Sequence, residues 1–140
     1  MATIKHTILY AEDDLDDLFI VQQAFQKYDD SISVIHAGNG QKAIEYLNGS
    51  EKDDLLPCLI ILDMNMPGMD GRETLVRLKQ SPEYNAIPVV IFTTSSNEPD
   101  KDFATKWGAD FITKPLAYSE LELLAKKFVD KCNFEVSKRA

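Results

Sequence analysis

The run CLIILD, Cys58–Asp63, is apolar for five consecutive positions and then stops at a carboxylate. A strand with one face in water alternates apolar and polar residues, whereas a run without alternation needs cover on both faces. VVIF at Val89–Phe92 has the same character. Working outward from these two, strand patterns lie at Thr7–Ala11, Ser33–Ala37, Cys58–Asp63, Val89–Thr93 and Asp110–Thr113. Helix-period segments fall between them: Leu15–Tyr28, around Gln41–Leu47, near Arg72–Lys79, near Asp100–Trp107, and Ser119–Cys132. In the last, Leu121, Leu124, Ala125, Phe128 and Cys132 fall at helical spacing, and Ser119 with Glu122 matches a capping box. Parallel strands need crossover connections, and right-handed crossovers put helices on both faces of the sheet. The expected fold is therefore an α/β, doubly wound (βα)5 domain with a five-stranded parallel sheet.

The chain has 140 residues, 44% of them hydrophobic, which suits one domain with a single sizeable core. No leader pattern or membrane-length apolar run is seen, so a soluble, cytoplasmic protein is expected. The net charge of −8 repels phosphate backbones and argues against nucleic-acid binding. Cys58 and Cys132 lie far apart, without zinc-ligand spacing, and read as buried small hydrophobes rather than as a disulfide framework.

In a doubly wound sheet the ligand site lies outside the carboxyl ends of the strands. Glu12 and Asp13 follow the first strand, Asp63 ends the third, Thr93 ends the fourth, and the fifth runs into Lys114. Three carboxylates, a hydroxyl and an ammonium thus converge on one edge. The stretch from Glu12 to Asp17 holds five acids. Asp14 reads as a helix N-cap, with Asp16 and Asp17 in the first turn, where the helix dipole favours carboxylates. Glu12 and Asp13 lie outside the helix and, with Asp63, call for a cation. Oxygen donors without a local His or Cys suit Mg²⁺.

The segments AEDD (11–14), ILDMNMPGMDG (61–71), VVIFTTS (89–95) and ITKPL (112–116) together resemble the receiver domain of two-component response regulators. The short length and the EDDLDD opening are similar to stand-alone receivers, including those that partner phytochrome-type sensor kinases. The resemblance implies a flavodoxin-like strand order of 2-1-3-4-5, a receiver unit over residues 1–132 and a short tail over 133–140. It implies a protein that is a phosphoacceptor rather than an enzyme. Asp63 would accept a phosphoryl group from a histidine of a sensor kinase or phosphotransfer protein. Mg²⁺ would sit on Glu12, Asp13, Asp63 and the backbone carbonyl of Asn65, with Lys114 pairing Asp63 and then a phosphoryl oxygen. Thr93 would donate its hydroxyl to the phosphoryl group and Phe111 would move with it as a switch.

Further features follow from the same likeness. Pro67, Gly68 and Gly71 fit a tight loop after Asp63, and Lys114–Pro115 matches the family's cis peptide. Glu12 stands where many receivers have Asp, and Thr94 where a smaller residue is common. Asn65 and Ser95 lie at positions that tune hydrolysis of the phosphoaspartate. Outside the site, His6 and His36 read as structural histidines, and Phe103 with Trp107 as core packing. The tail reads as a frayed end, with a homodimer contact through Phe134 and Val136 as the alternative.

Three rival readings are weaker. A Mg²⁺-dependent phosphatase of the haloacid-dehalogenase type, with Asp63 as nucleophile, would want a second Asp where this chain has Asn65. An adaptor that ignores phosphorylation is at odds with the intact set of five site residues. A flavodoxin-like cofactor protein would want glycines and hydroxyls after the first strand, where acids stand.

Overall fold

The computed structural model describes residues 6–29, 31–50, 56–94, 97–115 and 121–133. Strands and helices alternate throughout: β1 (His6–Ala11), α1 (Leu15–Tyr28), β2 (Ile32–Ala37), α2 (Gly40–Ser50), β3 (Leu59–Leu62), α3 (Gly71–Gln80), β4 (Val89–Thr93), α4 (Glu98–Lys106), β5 (Asp110–Thr113) and α5 (Leu121–Lys131). The strands pair in parallel in the order β2-β1-β3-β4-β5, as the family resemblance implied.

Every residue of β3 and β4 is buried, which is why neither strand alternates in polarity. Their side chains nevertheless divide between two layers. Ile61, Val90 and Phe92 join Ile8 and Tyr10 beneath α1 and α5, whose Val21, Phe25, Leu124 and Phe128 fill that side. Ile60, Leu62, Val89 and Ile91 join Leu9 on the opposite side, against Leu47 of α2, Leu75 and Leu78 of α3, and Ala104 of α4. Phe103 and Trp107 pack against this second layer, with ring centroids 6.4 Å apart, in keeping with core packing.

Three local readings need correction. Helix α4 begins at Glu98, two residues before the expected start, because Asn97 accepts a bond from the Asp100 amide at 2.9 Å and Pro99 preorganises the first turn. The peptide bond between Lys114 and Pro115 is trans, as most X–Pro bonds are, so the lysine needs no cis bond to reach inward. Gly71 is not a turn residue: it opens α3, and a Cβ there would collide with the Asp63 carbonyl oxygen and lie 2.8 Å from Met64 Cα. Gly68, at φ 72°, does supply the positive-φ turn. The Gly71 contact is backbone on backbone and cannot relax by a rotamer change. Gly71→Ala is therefore expected to lower stability by about 1–3 kcal/mol in urea unfolding; an unchanged midpoint would show that the loop below Asp63 yields.

The proposed capping box at Ser119, the residue Ser95 and the tail from 134 onward lie outside the described residues. Among the described residues, no helix is long and apolar enough to cross a membrane.

Candidate functional site

Backbone pairing continues one residue past three of the strands. Glu12 N–H donates to Ala37 O at 2.9 Å, Asp63 N–H to Ala11 O at 3.1 Å, and Lys114 N–H to Thr93 O at 2.8 Å. The three residues that leave the sheet edge are thus held by the sheet itself, and their side chains meet. Lys114 Nζ donates to Glu12 Oε2 at 2.9 Å, Asp63 Oδ2 at 2.9 Å and Asp17 Oδ2 at 2.8 Å. It also lies 5.7 Å from the centre of the Phe92 ring.

Carboxylate oxygens of Glu12, Asp13 and Asp63 can all lie within 4.8 Å of one another. Glu12 and Asp63 are buried and Asp13 is exposed, so the pocket opens to solvent on the Asp13 side. At an effective dielectric of about 20, two ionised carboxylates at that separation repel by about 3–4 kcal/mol. Lys114 brings one positive charge to four nearby carboxylates. The remaining negative charge, all on oxygen donors, fits a hard divalent cation.

Burial and the neighbouring Asp63 carboxylate push the Glu12 pKa up to about 7, against the pull of Lys114. For Lys114, burial acts to lower the pKa, but Asp17, Asp63 and Glu12 together raise it well above the usual lysine value. The ammonium stays charged.

The outer contacts of Glu12 were not legible in the sequence. Tyr10, wholly buried, donates its hydroxyl to Glu12 Oε2 at 3.1 Å, and the Asp14 amide donates to Oε1 at 3.1 Å. His36 Nε2–H donates to the Glu12 carbonyl at 2.7 Å, which gives that histidine its structural role. Burial and the acids around it raise the Tyr10 pKa far above the usual phenol value, so it remains a donor. Asp63 Oδ1 accepts from the Asn65 amide at 3.2 Å, and Asn65 itself is exposed. Thr93 is fully buried at the end of β4, and Phe111 is half-buried against the α2–α4 layer.

Asp14 caps α1 as expected, accepting from the amides of Asp16 and Asp17. Asp17, read from sequence as a first-turn acid only, also turns inward as the third partner of Lys114. Its place in the first turn of α1, directly after the acids of the strand end, was the available signal.

A doubly wound sheet with this acid, hydroxyl and lysine edge defines a receiver. The chain belongs to the response regulator receiver domain family, whose model matches residues 8–126. That family is a signalling domain. Among individual proteins, the chain is similar to the response regulator Rcp1 of Synechocystis sp., 38% identical over 95 residues, 66% of this chain and 65% of Rcp1. It is 32% identical to protein PilH of Pseudomonas aeruginosa over 110 residues, covering 78% of this chain and 85% of PilH. Of solved structures, the phosphorylated cyanobacterial phytochrome response regulator RcpA matches with a TM-score of 0.82 at 30% identity, over 92% of this chain and 97% of that one. The Mn²⁺-bound form of Rcp1 matches with a TM-score of 0.77 at 32% identity, over 87% and 90%. The sequence match spans just under two thirds of Rcp1's own length.

Proposed function

We propose that the chain is a single-domain response regulator in which Asp63 accepts a phosphoryl group from a histidine of a sensor kinase or phosphotransfer protein. The observation that carries this is the Lys114 ammonium 2.9 Å from Asp63 Oδ2, beside the Glu12 and Asp13 carboxylates. An Asp63 oxygen attacks phosphorus as the bond to the donor imidazole breaks, and the imidazole nitrogen keeps the electron pair. Already ionised, a carboxylate needs no base for this step. Lys114 moves its donation to a phosphoryl oxygen. Thr93, at the end of the neighbouring strand, donates its hydroxyl to another, with Phe111 following as the switch.

Glu12, Asp13, Asp63 and the Asn65 carbonyl would hold Mg²⁺, consistent with the Mn²⁺-bound Rcp1 structure. When bound, the ion offsets charge on the phosphoryl oxygens in an in-line transfer. Leu15 and Phe19 lie one turn apart on α1 and are more than half exposed, an apolar foothold for a donor protein beside the acids. The net charge of −8 argues against a nucleic-acid partner. Residues 1–132 would be the receiver unit and 133–140 a short tail.

Acetyl phosphate with Mg²⁺ is expected to add one phosphoryl group, ~80 Da, per chain by intact mass, and chelation to prevent it. Repeated turnover of a phosphate ester would instead support the phosphatase reading.

The pH dependence follows from Glu12. Its folded pKa is raised, so its contribution to the stability of the metal-free protein is full below about 4.5 and is lost as pH rises through about 7. Cation binding needs the ionised form and has the opposite slope. Mg²⁺ affinity by calorimetry is expected to be about tenfold weaker at pH 6 than at pH 8. A flat profile would place Glu12 outside the cation's reach.

A further inference from the structure

Away from the acid pocket, Cys58 Sγ and Cys132 Sγ lie 2.7 Å apart although 74 positions separate them in sequence. Sequence reading treated them as unrelated small hydrophobes. Both are free thiols, Cys58 wholly buried and Cys132 partly exposed. The backbones around them are fastened together: Asn133 N–H donates to Cys58 O at 2.9 Å, and Cys58 N–H donates to Thr7 O at 2.9 Å. Cys58 immediately precedes β3, and Cys132 immediately follows α5.

We propose that Cys58 and Cys132 are a redox modification site, closing to an intrachain disulfide by exchange with a low-molecular-weight disulfide such as oxidised glutathione. A disulfide needs converging Cβ–Sγ vectors and a sulfur separation of about 2 Å, and this pair is short of bonding by a movement smaller than an atomic radius. Cys132, the reachable thiol, gives its proton to water, and its sulfur attacks one sulfur of the oxidant, expelling one small thiolate. Cys58 then loses its proton and attacks Cys132 Sγ, displacing the second. Two protein thiols are oxidised and one small disulfide is reduced, and the two protons released by the protein pass through solvent to the two expelled thiolates, giving two small thiols.

The bond would pin the carboxyl end of α5 to the sheet. That helix shares a core layer with α1, and Phe128 stacks on Phe25 and meets Phe92 edge-on. Local opening of α5 is therefore what oxidation suppresses. The Cys58 contact and burial both raise the Cys132 pKa, so closure is slow exchange rather than a fast response. The assignment is independent of the phosphoryl chemistry at Asp63.

The test is to incubate the full chain with oxidised glutathione, denature it, alkylate it and measure intact mass. The expected product has lost two hydrogens, takes no alkyl group and yields a Cys58–Cys132 cross-linked peptide. Hydrogen exchange of α5 amides should slow by about tenfold or more, and Tm should rise by about 5 °C or more. Cys132→Ser should show neither change, and dithiothreitol should reverse both in the wild type. Mapping in the wild-type chain needs no variant to fold. Two alkylated cysteines after prolonged oxidation, a stable glutathione adduct, or a linkage only between chains would each overturn the proposal.

Discussion

Replacing Lys114 by methionine is expected to lower the unfolding free energy of the metal-free protein by about 3–5 kcal/mol at pH 8, and by markedly less at pH 6. The side chain of Lys114 is 9% exposed, and its partners Glu12 and Asp63 are 1% and 10% exposed, so solvent screens these two pairs little. Asp17, at 35%, is wet enough to contribute far less. Methionine keeps most of the lysine's volume, so the loss is that of charge rather than packing. What remains is two buried carboxylates with no cation between them, the condition in which breaking a buried pair is most costly.

The pH slope separates this account from simple repacking. Lys114 lowers the Glu12 pKa, so its removal lets that pKa climb beyond about 7. At pH 6 Glu12 is then neutral and the repulsion with Asp63 largely disappears. Mg²⁺ should restore part of the loss at pH 8, because an ion bound to the native state stabilises it by mass action. Urea unfolding at both pH values, with chelator and with Mg²⁺, reads all of this. A deficit independent of pH and of cation would mean that Lys114 serves packing alone.

The fold was readable because burial on both faces leaves an unambiguous mark: CLIIL and VVIF cannot belong to a half-wet sheet. The strand ends were equally plain, since Glu12, Asp63, Thr93 and Lys114 interrupt apolar runs with groups that need a reason to be there. What escaped were contacts whose partners are distant in sequence. Nothing local to Tyr10 announces that its hydroxyl meets Glu12, because a tyrosine in a strand is first of all a good β residue. Cys58 and Cys132 are invisible for the same reason, since each alone is an ordinary core residue and only the docking of α5 brings their sulfurs together. Asp17 was half legible: its place in the first turn explains a carboxylate so well that a second role went unread. The start of α4 was a different failure. Asn97 followed by Pro99 is a strong start signal that the apolar period, weak in this charged helix, obscured.

Asp63→Asn should abolish the acetyl phosphate adduct completely and, in the same preparation, leave the metal-free protein more stable than wild type. The first half follows because the amide nitrogen and oxygen of asparagine are poor nucleophiles, and no other carboxylate shares the Lys114 and sheet-edge environment in quite the same position. Glu12 shares that lysine, but its two oxygens already accept from Tyr10, Lys114 and the Asp14 amide. The second half follows from repulsion. Asp63 raises the pKa of Glu12, so removing its charge relieves Glu12, while Lys114 keeps Glu12 and Asp17 as partners. The net gain should be about 1–2 kcal/mol at pH 8, shrinking toward pH 6 as Glu12 protonates in the wild type. Cation affinity should fall by at least about tenfold with the lost ligand. A variant that takes no phosphoryl group yet melts later than wild type cannot owe its inactivity to misfolding, so the two measurements together isolate the acceptor atom. An adduct that persists on another residue would sink the assignment, and a loss of stability would show that the Lys114 pairing outweighs the repulsion between the acids.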